Sequence, residues 1–427
     1  MRRKRALFFA VLALGVWAFA ELSALLVLSA TAGAWARPSR LAGMRAAAGR
    51  QAAARAGGEV QGEGHAALSL FTGTVIHPFL GFVLDPEGKT GVRVSPEGFS
   101  NPHREPPPAD RPLFTVGLFG GSMAMLLCHE GGEVLAAELS RLPQARGKRV
   151  WIECYALGGY KQPQSLLALD YALARGERFD LVLTLDGFNE VALPPGENLR
   201  MGVNPFYPRS WNVLASTVLG PRVLRLSGEI AYLEGRRASW AGLCDGTLAW
   251  SSLCHVLWQA EDRRLGRRVS ELDRQLLAAK TRRSFALDGP AFPYKPQGRR
   301  TYRELVAMWS RSAELMAGVC RARGIPYFHF LQPNQYVPGS KPMGEAERKI
   351  AFDPNHPYRP AVERGYPLLI EAGKGLAASG VRFHDLTRIF ATREEPLYFD
   401  GCCHVNMQGS QIMAREIAAR IAGTSRE

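Results

Sequence analysis

The stretch Phe114-Thr115-Val116-Gly117-Leu118-Phe119-Gly120-Gly121-Ser122 decides how this chain folds. A short apolar run ends in two glycines and a serine, and a helical pattern over 122–142 follows at once. A strand that turns sharply into a helix opens a βα unit, and such units gather ligands at the carboxyl ends of their strands. The glycines allow the turn, and the first N–H groups of the helix offer positive potential to an anion.

The same pattern recurs downstream. Apolar runs at 114–119, 150–157, 179–186, 325–331 and 381–386 predict five strands, and the spacing predicts helices over 122–142, 164–175, 302–323 and 405–421. Alternation of this kind predicts an α/β fold with a parallel sheet covered on both faces. In the last helix Met413, Ile417 and Ile421 recur every fourth residue and mark one buried stripe. No strand is followed by a Gly-x-Gly-x-x-Gly or Walker-type loop, so a nucleotide cofactor is not expected.

Two more strand ends and the turn before the last helix carry polar groups. The second leads into Leu157-Gly158-Gly159-Tyr160, where a glycine N–H can approach a bound group closely. The third leads into Gly187-Phe188-Asn189-Glu190, and an Asn amide suits a developing negative oxygen. Before the last helix stands Asp400-Gly401-Cys402-Cys403-His404, a carboxylate and an imidazole near enough in sequence to meet. A nucleophilic serine needs such a base, and the base needs a partner that fixes its tautomer. His329 and His384 fall inside strand-like runs and read as hydrogen-bonded core residues, whereas His77, His103 and His356 sit in Pro-rich loops.

Taken in order, Gly-x-Ser, Gly, Gly-x-Asn and Asp…His resemble the SGNH hydrolase (GDSL-like) superfamily, over blocks that span about two thirds of the chain. The resemblance implies a flavodoxin-like three-layer α/β/α sandwich and a serine ester hydrolase that uses neither metal nor cofactor. It implies Ser122 as nucleophile, His404 as general base and Asp400 as the residue that orients it. The oxyanion hole would comprise the N–H groups of Ser122 and Gly159 and the Asn189 side chain. Three positions depart from the family pattern: Gly121 replaces Asp, Glu190 replaces Asp, and three residues instead of two separate Asp400 from His404. The longer spacing leaves either Asp400 or a backbone carbonyl to orient the ring.

The net charge of +14 is concentrated at one end. Residues 1–60 carry nine Arg or Lys against Glu21 and Glu59, which is half of the surplus. Residues 6–36 are otherwise apolar, long enough for a helix to cross a hydrocarbon core of about 30 Å. The charge is therefore assigned to a membrane surface, with no nucleic-acid partner, and the rest of the chain is expected to be exported. An uncleaved anchor over 1–36 fits better than a signal peptide, whose apolar core is about 7–15 residues, although Ala34-Trp35-Ala36 has the form of a cleavage site. Cleavage would make the protein secreted.

Residues 37–76 read as an Ala/Arg/Gly-rich stalk and linker, and 77–427 as the hydrolase-like domain, which 77–110 enters as an extended lead-in. A helical insertion over about 198–299 holds Trp211, Trp240, Trp250 and Trp258, for which core packing is the expected role and a lid or bilayer contact the alternative. Among the seven cysteines, Cys244 and Cys254 can bridge locally or remain buried thiols, and adjacent Cys402 and Cys403 read as small packing residues. No zinc-ligand spacing is present. Three functions are compatible with this reading. The first is an extracytoplasmic, membrane-anchored serine hydrolase of a small-molecule, lipid or polysaccharide ester. The second is an O-acyltransferase or acetylesterase acting on cell-envelope polysaccharide. The third is a silent SGNH-like module that binds glycan or protein.

Overall fold

A computed structural model describes residues 2–32, 37–56, 73–87, 93–100, 111–219, 221–243, 248–280 and 285–424. The chain divides into two units: Met1–Ser69 with Ala215–Arg283, and Leu70–Leu214 with Ser284–Glu427.

The second unit is built on five parallel strands: β3 (Leu113–Gly120), β4 (Arg149–Ala156), β5 (Leu181–Asp186), β6 (Tyr327–Leu331) and β7 (Arg382–Asp385). All five fall within a residue or two of the strands that the apolar runs predict. Their order across the sheet is β4-β3-β5-β6-β7, so the first strand of the sheet lies between the second and the third. A purely parallel sheet must be covered on both faces, and every residue of β5 and β6 is buried. One group of helices pairs Gly132–Leu139 with Met407–Thr424; another packs Arg299–Ala322 against Gln164–Ala174 and Arg359–Ala378. Met413, Ile417 and Ile421 are buried as the four-residue period requires.

Three features of this unit escaped the sequence pattern. An antiparallel hairpin, β1 (Thr74–His77) with β2 (Gly81–Leu84), straddles the boundary between the predicted linker and lead-in. The predicted continuous helix over 122–142 is Ser122–Leu126, a π turn over Leu127–Gly131, then Gly132–Leu139. Cys128, in that π turn, is disulfide-bonded to Cys154 on β4. The bond closes a loop of 26 residues, and loops of that size lose about 3–4 kcal/mol of unfolded-state entropy when cross-linked. The Cys128→Ala/Cys154→Ala variant is therefore expected to lose about 3 kcal/mol of unfolding stability, measured by urea titration beside the parent protein; a midpoint that does not move would contradict it.

The first unit comprises the helices Arg2–Ala32, Pro38–Ala56, Pro221–Leu243 and Ser252–Lys280. Within the first of them Leu7–Ala30 is long and apolar enough to cross a membrane. Pro38–Ala56, in the stretch that reads as a stalk, is a packed helix that lies along Pro221–Leu243 with Leu41 and Ala52 buried. Its interface is made of small residues: a Cβ added at Gly49 would stand 2.8 Å from the Ala241 Cβ. Such an interface carries no hydrophobic periodicity for a sequence pattern to register. Most of the predicted insertion belongs to this unit. Trp258 is buried and Trp240 packs beside it, in line with core packing, but Trp250 is exposed. Trp211, in the second unit, donates its indole N–H to the Ala286 carbonyl. Cys254 is disulfide-bonded; Cys244 and Ala34-Trp35-Ala36 lie outside the described residues, as does His103.

Candidate active site

Ser122 follows β3 and Asn189 follows β5, the two adjacent strands at which the chain order across the sheet reverses. Crevices form at such a reversal because the crossing connections diverge to opposite faces. The turn into Ser122 needs glycine twice. Gly120 has φ +149°, and a Cβ there would meet the Leu185 carbonyl oxygen at 2.2 Å. At Gly121 a Cβ would lie 2.3 Å from Asn189 Nδ2, so the amide occupies the space that a side chain at 121 would fill.

The structure brings the serine, the histidine and the aspartate together. Ser122 Oγ and His404 Nε2 are 2.7 Å apart, and His404 Nδ1 lies 2.5 Å from Asp400 Oδ2. The other aspartate oxygen, Oδ1, accepts the backbone N–H groups of Cys402, Cys403 and His404 at 2.9, 3.1 and 3.1 Å. These bonds curl the loop, and the curl absorbs the extra residue between Asp400 and His404. Partial burial pushes the Asp400 carboxyl up, but the His404 hydrogen bond and charge and the N–H groups of His404 and Cys402 outweigh it and hold the carboxyl below its usual range. An anionic Asp400 that accepts from Nδ1–H leaves Nε2 as the basic nitrogen facing Ser122.

A polar loop after β6 holds this turn in place, and the sequence reading missed it. Asn334 Nδ2 donates to the Cys402 carbonyl at 3.1 Å, Gln335 Nε2 to the Asp400 carbonyl at 2.9 Å, and Tyr336 Oη to the Gly401 carbonyl at 2.8 Å. The signal was available: Gln332-Pro333-Asn334-Gln335 is a polar run at the carboxyl end of a strand, the edge on which the other blocks lie.

Asn189 Nδ2 donates one N–H to the Tyr160 carbonyl at 2.7 Å, which fixes the amide beside Ser122. Glu190 caps the same helix turn: its carboxyl oxygens accept N–H from Gln162 at 3.0 Å and Gly187 at 2.8 Å. Burial, and then the Asp186 charge, push its carboxyl up to about 8. Gly159 lies against Arg209, which makes a two-pronged pair with Glu197 at 2.7 Å per contact.

The remaining histidines separate by environment. His329 is a core residue, fully buried, with Nε2 2.8 Å from Asp186 Oδ1 and Nδ1 2.8 Å from Tyr327 Oη. His384 departs from the expectation: it sits half-buried on the edge strand β7, stacked on Phe330, and its Nε2 has no hydrogen-bond partner among the described residues. His77 Nδ1 accepts the N–H groups of Phe79 and Leu80. His356 lies next to Gly401 in the turn that carries Asp400 and His404, and burial lowers its pKa. Cys402 and Cys403 are free thiols with their sulfurs 3.5 Å apart. A cavity of about 310 Å³ is lined by Gly324–Tyr327 and Gly380–Arg382 at the amino ends of β6 and β7, the edge opposite Ser122.

No protein-family model matches this chain, and no curated protein sequence matches it.

Proposed function

We propose that the protein is a serine ester hydrolase of the SGNH type, tethered to a membrane by its N-terminal helix and acting on the extracytoplasmic side. The observation that carries this reading is the relay in which the His404 ring lies at hydrogen-bond distance from Ser122 Oγ through Nε2 and from Asp400 Oδ2 through Nδ1. His404 takes the serine proton as Oγ attacks an ester carbonyl, and Asp400 stabilises the imidazolium that results. His404 then returns the proton to the departing alcohol, and water repeats the sequence on the acyl-enzyme. The N–H groups of Ser122 and Gly159 and the second N–H of the Asn189 amide receive the oxyanion. The strand order 2-1-3-4-5 is that of the flavodoxin-like sandwich, which favours the same family. The Cys128–Cys154 disulfide fits an oxidising compartment, as does the disulfide at Cys254. An assembled triad also argues against a silent binding module.

A fluorophosphonate probe tests this directly. The full chain is expected to be labelled on Ser122 at one probe per molecule, and the His404→Ala variant to resist labelling. Equal labelling of the two proteins would remove the proposed base. Replacing Asn189 with Ala is expected to lower kcat on a short-chain p-nitrophenyl ester by about 10²-fold with little change in KM, as for other lost oxyanion donors. Gly121→Asp, which restores the family's usual residue, is expected to be no better than Asn189→Ala because the new side chain displaces the amide; a fully active Gly121→Asp enzyme would refute that account.

A further inference from the structure

Outside the active site, the most unusual juxtaposition lies within the first unit. The segment from Ala238 to Ala260, which joins the helices Pro221–Leu243 and Ser252–Lys280, contains no Lys or Arg, and Asp245 is its only carboxylate. Charged residues resume at once on either side, and they pair across the two helices: Arg237 with Asp262 at 2.9 Å and Arg236 with Glu261 at 3.3 Å. The described residues on either side of the connection, 238–243 and 248–260, thus form an apolar tip to the two helices with a charged band above it; Asp245 lies outside the described residues.

The tip is docked on the apolar N-terminal helix. Trp250 meets Trp17 edge to face, with centroids 5.4 Å apart, and Val256 packs with Leu25, Leu28 and Leu41. Glu21, the one charge within the apolar span, accepts the N–H groups of Ser252 at 2.8 Å and Leu253 at 3.1 Å and the Ser251 hydroxyl. A carboxylate at a helix N-terminus is favourable, and here it comes from another helix. Arg45, fully buried, is likewise turned inward, donating to the Ala249 carbonyl at 2.7 Å and lying 3.1 Å from His255 Nδ1. Meanwhile Leu243, Leu248, Trp250 and Leu257 on the hairpin are exposed, as are Leu22 and Leu26 on the N-terminal helix. Polar groups inside and apolar groups outside is the arrangement that a bilayer requires.

We infer that the tip of this hairpin is a re-entrant membrane element, immersed in the leaflet on the side of the exported domain. The inference rests on the N-terminal helix crossing the membrane. The dimensions agree. Trp17 stands ten residues, about 15 Å, from the start of the span at Leu7, which is the middle of a hydrocarbon core of about 30 Å. Trp250 is therefore at mid-depth. From Ser252 to the charged band at Glu261 the helix rises about 13 Å, close to the thickness of one leaflet.

The test uses the full chain in phosphatidylcholine vesicles whose acyl chains are brominated, because bromine quenches only tryptophans within the hydrocarbon. Trp17→Phe is expected to lose part of the quenchable emission, and Trp17→Phe/Trp250→Phe to lose most of what remains. If the double variant is quenched as much as Trp17→Phe while the parent is quenched more than both, the helix spans the bilayer but the hairpin stays outside, and the inference fails alone. If parent and Trp17→Phe are quenched equally, the N-terminal helix is not in the bilayer, and the anchor and the inference fall together. Hydrolysis by the same preparations reports on Ser122 chemistry independently of either outcome.

Discussion

Replacing Ser122 with Ala is expected to reduce kcat for a short-chain p-nitrophenyl ester by about 10⁴- to 10⁶-fold, since the nucleophile and its base act as one unit. The fold should be untouched, because the hydrogen bond of Oγ to His404 Nε2 is the one that the side chain makes among the described residues. His404→Ala is expected to fall to the same floor, and the double variant to go no lower. Non-additivity is the informative part of this series: residues that merely support the fold would compound their losses. A Ser122→Ala enzyme with parental kcat would dismiss acyl-enzyme chemistry at this site.

Asp400→Asn is expected to cost about 10⁴-fold in kcat while leaving the melting temperature near that of the parent. An Asn side chain keeps one oxygen, so it can still accept the N–H groups of Cys402, Cys403 and His404 that shape the turn. At the position of Oδ2, however, it presents N–H groups to His404 Nδ1. The ring then carries its proton on Nε2, where it faces Ser122 and cannot accept. Thermal melting and kinetics on one preparation separate the two roles of this residue. A large drop in melting temperature with near-parental kcat would make Asp400 a loop-former and leave the imidazole to be oriented by another group.

The parts of the fold that were legible in the sequence are those with a strong period or a glycine-marked turn. The five strands of the sheet are short apolar runs, and the buried stripe of the last helix repeats every fourth residue, so both follow from burial alone. Ser122, Gly159 and Asn189 were legible because each stands just after a strand, where a parallel sheet collects it, and Asp400 and His404 because they lie close in sequence just before the last helix. What was not legible depends on pairing between distant residues. Cys128 and Cys154 give no local sign of their bond. The β1–β2 hairpin hides in a Pro- and Gly-rich stretch, and the Pro38–Ala56 helix packs through alanine and glycine, which burial patterns do not register. Asn334, Gln335 and Tyr336 act through the carbonyls of Asp400, Gly401 and Cys402, and only a folded chain reveals that contact.

The cross-link at Cys128 lies in the helical turn that follows Ser122–Leu126 and ties it to the neighbouring strand. Where the chain is made therefore matters to how firmly that serine is held. Material matured in a reducing cytoplasm begins without the brace, and preparations from the two sides of a cell envelope should differ in heat resistance even when their sequences are identical.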